Sequence, residues 1–271
     1  MPDEHGQDRS TDLTAVAPHP KRPRPLVVAI DGPSGSGKSS VSRGVAERLG
    51  LAYLDTGAMY RAATWWCLHL GLDLADRDAV AGAVKDLPLV QGLDPSTPTV
   101  RVAGTDVAEA IRTTEISAAV SAVATNLDVR AELRRRQRDL IEAERHAGSV
   151  SGGRGVVAEG RDITTAVAPD ADVRVLLTAS EEARLARRAL EIHGNADADA
   201  LASTRDQVLR RDADDSMVVQ FHRAADGVVT LDSSALDLDG TIAAVIDIIS
   251  AETGPATDDR SHGGRAGAST S

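Results

Sequence analysis

Leu26-Val27-Val28-Ala29-Ile30-Asp31-Gly32-Pro33-Ser34-Gly35-Ser36-Gly37-Lys38-Ser39-Ser40 reads as a strand, a glycine-rich turn and the first turn of a helix. Residues 26–30 form a continuous apolar run, as a strand buried on both faces of a parallel sheet does. Positions 32–39 fit the pattern GxxxxGK[ST]. Beyond them Val41, Val45 and Leu49 recur every four residues, so 38–49 reads as a helix with one buried stripe. A strand before and a helix after are the context that the pattern needs in order to cradle phosphate. Its glycines let backbone N–H groups curl around phosphate oxygens without Cβ clashes. The helix N-terminus adds a positive partial charge. Gly32, Pro33, Ser34, Gly35, Ser36, Gly37, Lys38, Ser39 and Ser40 are therefore the candidate nucleotide-binding residues. Lys38 is placed to reach β- and γ-phosphates, and Ser39 to ligate Mg²⁺.

Outward from this loop, strands and helices alternate. Residues 52–54, 156–158, 173–178 and 228–231 are short β-rich runs, and 57–70 reads as a helix. That alternation predicts an α/β fold, a parallel sheet covered by helices on both faces. Two segments interrupt it. Residues 87–102 hold Pro88, Gly92, Pro95 and Pro98 between short apolar runs, and read as a small irregular or hairpin insertion. Residues 109–146 read as two long helices broken near Thr125-Asn126-Leu127-Asp128. Residues 1–25 and 253–271 lack apolar periodicity and read as disordered tails, leaving one domain at 26–252.

Composition narrows the function classes. Apolar residues make up 42% of the 271, but aromatics only 2%, so the core must be aliphatic. The net charge of −11 gives no broad basic face for nucleic acid. The single cysteine, Cys67, rules out an internal disulfide and a zinc-ligand pattern, and sits in an apolar run as a core residue. No apolar stretch reaches the ~20 residues of a membrane span, and the N-terminus shows no signal-peptide pattern. A cytoplasmic monomer without membrane or nucleic-acid partners is the expectation.

The loop establishes nucleotide binding but not the reaction. A GTPase would show a guanine-reading [NT]KxD element, and Thr125-Asn126-Leu127-Asp128 lacks its lysine. Arginines and carboxylates near strand ends point instead to phosphoryl transfer between nucleotides, which needs fixed guanidiniums to neutralise gathered phosphates. They lie in Asp55-Thr56-Gly57-Ala58-Met59-Tyr60-Arg61 and in Gly160-Arg161-Asp162.

These strings, with the loop itself, Ile111-Arg112-Thr113, Arg135-Arg136-Gln137-Arg138 and Glu159-Gly160-Arg161-Asp162-Ile163, resemble the bacterial cytidylate kinase family from about Leu26 to Ala251. The resemblance implies a P-loop kinase core, an enlarged monophosphate-binding insertion near 72–104 and a helical lid near 180–200. It implies ATP as donor, with Mg²⁺, and CMP or dCMP as acceptor. Carried over by position, Arg61 and Arg161 resemble the holders of the acceptor phosphate. Thr56, Ser121, Arg130 and Asp162 resemble the readers of cytosine, and Tyr60, Arg211 and Asp215 the lining of the sugar. Arg184, Arg187 and Arg188 share one face of the lid's first helix; Arg184 and Arg188, with Lys38 and Arg161, are the candidate catalytic residues. The alternative for that face is a solvated one paired to Glu181, Glu182 and Glu191. The run Arg134-Arg135-Arg136 reads as the exposed side of a helix.

The chain departs from the family pattern in two places. Val218 stands where an arginine is expected, before a shortened segment, 219–225, that lacks a proline. Thr164 stands where a glycine is expected. Two other readings therefore stay open, a P-loop kinase for UMP, AMP or another small acceptor, and a weakly active nucleotide-binding regulator.

Overall fold

The computed structural model describes residues 24–195, 197–216 and 223–254. Strand β1 (Leu26–Asp31) runs into the glycine turn and then helix α1 (Lys38–Leu49). Strand β2 (Ala52–Asp55) passes directly into α2 (Thr56–His69), because the Asp55 carboxylate accepts from the Ala58 amide and caps the helix. Helix α3 (Arg77–Lys85) follows, capped in the same way by Asp76. Then come β3 (Leu89–Gln91), β4 (Val100–Val102) and β5 (Thr105–Asp106), a short turn of 3-10 helix at Ala110–Arg112, α4 (Thr114–Ala124) and α5 (Leu127–Ala143). The chain returns through β6 (Gly155–Gly160), a π-helical turn at Ile163–Val167, β7 (Val173–Thr178), α6 (Glu181–His193), α7 (Ala198–Ser216), β8 (Val229–Asp232) and α8 (Leu238–Thr253).

The main sheet has the order β2-β6-β1-β7-β8, and each of its pairings is parallel. Alternate residues of β1 enter different cores, as a period of two dictates. Val28 and Ile30 pack with Val41 and Val45 of α1 and Ile242, Val245 and Ile249 of α8. Val27 and Ala29 pack on the other face with Met59, Ile141 and Ile163. The α/β fold with both faces covered is thus observed. A third core gathers α2, α3, α4 and α5 around Cys67, which is buried as expected.

The segment expected to be an irregular or hairpin insertion is a hairpin. β3 pairs antiparallel with β4, which pairs antiparallel with β5. The predicted break between two long helices falls at Asn126, whose side chain accepts from the Asp128 and Val129 amides and starts α5. The stretch 156–158 extends to Gly155–Gly160, because the backbone ladder with β1 continues past the valines. Apart from residues 24–25 and 253–254, the two expected tails lie outside the described residues.

One expectation needs correcting. Arg134-Arg135-Arg136 is not simply an exposed side. Arg135 pairs at the surface with Glu132 and Asp139. Arg136 pairs with Glu132 at 2.6 Å and donates to the carbonyls of Val84, Lys85 and Leu87 at and just beyond the end of α3. Arg134 turns inward, as described next.

Candidate active site

The carboxyl ends of β1, β2 and β6 are in register, with Asp31 beside Gly160 and Asp55 beside Glu159. Ligands bind at this edge of an open parallel sheet. A cleft of about 550 Å³ opens there.

One wall is the phosphate loop. Ser34, Gly35, Gly37, Lys38, Ser39 and Ser40 line the cleft, while Gly32, Pro33 and Ser36 are buried behind it. Gly35 has a φ of 76°, and a Cβ there would lie 2.5 Å from the Arg184 carbonyl oxygen, so only glycine fits. The loop's carbonyls, whose dipoles would repel phosphate, are held from behind by α6. Arg184 donates to the Ser34 carbonyl at 3.0 Å. Arg187 donates to the Ser36 carbonyl at 3.2 Å, to the Ser233 hydroxyl and carbonyl, and to the Leu236 carbonyl. Of the α6 arginines, Arg188 reaches the cleft; Arg184 is buried against the loop and does not line it. Arg184 and Arg187 turn toward the loop rather than to solvent, and Glu181 pairs with Arg205 of α7.

The floor carries charge. Ser39 Oγ donates to Glu159 Oε1 at 2.7 Å, and Tyr53 OH donates to the same oxygen at 3.4 Å. Burial pushes the Glu159 carboxyl above its usual value, and Asp55 beside it pushes the same way, against Lys38 and the Ser39 hydrogen bond. Burial acts on Asp55 too, but Arg61 at 3.0 Å, the Ala58 amide, Arg112 at 3.7 Å and Lys38 outweigh it and hold that carboxyl below its usual value. Arg61 Nε is buried without a hydrogen-bond partner among the described residues, although the side chain lines the cleft. A buried donor of this kind is placed for an incoming anion.

The far wall joins α2, α4, α5 and the turn after β6. Tyr60, Arg130, Arg161 and Asp162 line it together. Asp162 is buried, and its Oδ2 takes two guanidiniums. Arg130 binds through Nη2, and Arg134 through Nε at 2.8 Å and Nη2 at 2.6 Å. Arg130 also donates to the Ala124 carbonyl and lies over the Tyr60 ring at 5.8 Å. Thr56 lines the cleft and donates its hydroxyl to the Glu159 carbonyl at 2.7 Å. A Cβ on Gly160 would come within 2.5 Å of that hydroxyl oxygen, so this glycine permits the tie. Ser121 is half-buried and is not among the lining residues; Ser117, one turn earlier on α4, takes that place. Arg211 and Asp215 belong to α7, and their side chains lie outside what is described, as does Val218 with the residues up to 222.

The structure thus brings together the loop, Thr56, Tyr60, Arg61, Arg130, Arg161, Asp162 and Arg188. It adds residues to which the sequence reading gave no individual role: Glu159, Asp55, Arg112, Ser117 and Arg134. For Arg134 a signal was available, since it follows Arg130 by four residues and so shares its helix face.

A family model described as cytidylate kinase matches residues 28–251. A cytidylate kinase of Cutibacterium acnes is 49% identical over 227 residues, covering 83% of this chain and 96% of that protein. Cytidylate kinases of Streptomyces avermitilis and Streptomyces griseus are 48% and 44% identical over 225 residues, each match covering 83% of this chain and 92% of the relative.

Proposed function

The chain belongs to the cytidylate kinase family, and from that premise we propose that it transfers the γ-phosphoryl group of ATP to CMP or dCMP, giving ADP and CDP or dCDP. The observation that carries this reading is one cleft with a phosphate loop on one wall and Arg61, Arg161 and Asp162 on the other. Transfer of a phosphoryl group needs little covalent help from protein. It needs two nucleotides held in line and their charge neutralised.

Lys38 and the loop amides hold the donor phosphates. Arg61, with its unpartnered Nε, and Arg161 hold the acceptor phosphate. Asp162, an acceptor when ionised, takes a hydrogen bond from the exocyclic amine of cytosine. Arg188 neutralises charge on the transferred group; Arg184 acts through the loop whose carbonyl it binds. Tyr60 of α2, with Arg211 and Asp215 of α7, lines the sugar, and residues 72–104 and 180–200 serve as acceptor-side insertion and lid.

Mg²⁺ accompanies ATP. The donor set at the floor suits it: a serine hydroxyl at Ser39, with the Glu159 carboxylate 2.7 Å away. Magnesium favours such hard oxygens and takes much of its coordination from phosphates and water rather than from a protein cage. Among the described residues no cluster of three or more His, Cys, Asp or Glu forms such a cage. Ser39 and Glu159 would hold the ion, and it would offset the charge of the donor phosphates. Among the described residues no helix is long and apolar enough to cross a membrane. The reading places the enzyme in the cytoplasm as a monomer, with ATP and CMP or dCMP as its partners.

A coupled ADP-release assay against CMP, dCMP, UMP and AMP tests it. ADP release that depends on CMP or dCMP, and is much weaker with UMP or AMP, is expected. A preference for UMP or AMP, or no release with any of the four, would overturn it.

A further inference from the structure

Arg134 belongs to α5, one turn beyond Arg130, and the two guanidiniums converge on a single oxygen of Asp162. One cation would neutralise a carboxylate. Two on the same oxygen do something else: they fix its direction. Among the described residues every hydrogen bond to the Asp162 side chain falls on Oδ2 and none on Oδ1. Asp162 is 3% exposed and yet lines the cleft, so Oδ1 is the oxygen left to a ligand.

We propose that Arg134 is a specificity-determining residue that acts through Asp162. It holds Oδ2 from the side opposite the ligand, so that the carboxylate presents Oδ1 as a fixed, acceptor-only group. Such a group accepts from the amine of cytosine and opposes the carbonyl that uracil carries in its place. The inference rests on the reading of the cleft as a CMP site and names a base-selecting part that the reading does not contain. Arg134 does not line the cleft. It is a positioning residue.

The fork of the guanidinium matters, because Arg134 grips Oδ2 through two nitrogens at once. A lysine supplies one point charge on a flexible stem and cannot reproduce that grip. The side chain of Arg134 is 27% exposed against 7% for Arg130, so changing it opens no large cavity.

The test compares wild type, Arg134→Leu and Arg134→Lys, with kcat and KM for CMP, for UMP and for ATP, and thermal melting of each protein. For Arg134→Leu the CMP/UMP ratio of kcat/KM should fall about 5- to 20-fold, as weakening one base contact implies. The fall should appear in KM for CMP, with KM for ATP unchanged. Arg134→Lys should fall between the two. A ratio within twofold of wild type in folded Arg134→Leu would overturn the inference. So would an equal loss for CMP and UMP in both variants, which is what a purely structural role gives. A wild type that releases no ADP with CMP or dCMP would remove the functional reading, and this inference with it. An active, cytosine-selective wild type whose selectivity ignores Arg134 removes the inference alone.

Discussion

The Thr164 hydroxyl donates to Asp31 Oδ2 at 2.6 Å, and the backbone amides of Ile163 and Thr164 donate to the same carboxylate at 2.9 and 2.8 Å. Asp31 ends β1, one residue before the phosphate loop, and Thr164 follows Arg161 and Asp162 by a few residues. The bond therefore ties the donor wall to the acceptor wall. It also accounts for a departure noted in the sequence: where a glycine is expected, this chain has a side chain that reaches a buried carboxylate.

Thr164→Val keeps the shape and removes the hydroxyl. Losing a hydrogen bond to a charged group costs about 1.5–3 kcal/mol, which in a chain of this size lowers Tm by roughly 3–12 °C. The cost should depend on pH. Burial raises the Asp31 carboxyl above its usual value, with the Thr164 bonds opposing. A raised carboxyl adds stability in acid that is lost as pH rises through its folded value. Removing Thr164 raises the group further and widens that loss. The Tm difference between wild type and Thr164→Val should therefore be larger at pH 7.5 than at pH 5. Melting curves at both values check this; a larger difference at pH 5 contradicts it.

How much of this was legible depends on what kind of partner each residue has. The run from β1 through the loop to α1 could be read because only one backbone path satisfies those glycines and that lysine. The break at Asn126 could be read because side-chain capping has a sequence signature. The roles of Arg184, Arg187 and Arg136 could not. The bonds that hold them against the loop and α3 go largely to backbone carbonyls, which every residue carries and no sequence pattern marks; the i,i+4 pairing of Arg136 with Glu132 was the legible part. Arg134 was hidden by its setting among charged residues, where a run of arginines looks like a solvated face. Ser117 and Ser121 lie one turn apart on α4, and a string match cannot decide which of them faces the cleft.

Lys38 carries the chemistry prediction. Its ammonium lies at the cleft surface, 3.4 Å from the Pro33 carbonyl, and favours the charged forms of the buried Asp55 and Glu159 carboxylates. Lys38→Ala should keep the circular dichroism spectrum and lower kcat at least about 10²-fold, the scale for removing one preorganised cationic or hydrogen-bonding stabiliser. Near-normal turnover in the folded variant would contradict the role given to the loop.

Arg187 tests whether the loop must be held from behind. Its guanidinium bonds the Ser36 carbonyl and three groups at 233–236. Arg187→Met keeps most of the stem volume and loses these bonds. KM for ATP should rise roughly 10-fold, as one charge-assisted hydrogen bond implies, while KM for CMP changes much less. Steady-state kinetics with each substrate varied in turn separates the two. Equal rises would place the effect elsewhere than in the donor loop.

Asp162 allows the sharpest test, because its role and that of Arg134 are claimed to be one. Asp162→Asn keeps the shape and replaces the acceptor-only group with an amide that can turn a donor toward the base. The CMP/UMP ratio of kcat/KM should fall about 5- to 150-fold. Stability should fall as well, since two guanidiniums, one of them buried, lose their counter-charge, a change that costs about 3–5 kcal/mol when a buried pair is broken. The double variant Arg134→Leu/Asp162→Asn then separates coupling from coincidence. If Arg134 acts only through Asp162, adding Arg134→Leu to Asp162→Asn should leave the ratio where Asp162→Asn put it. The cycle should then close with a coupling of about 0.5–3 kcal/mol, as residues in direct contact show. It should also restore part of the lost stability by removing one unpaired guanidinium. Ratios that multiply as independent effects would mean that Arg134 selects the base, if it does so at all, by a route that does not pass through Asp162.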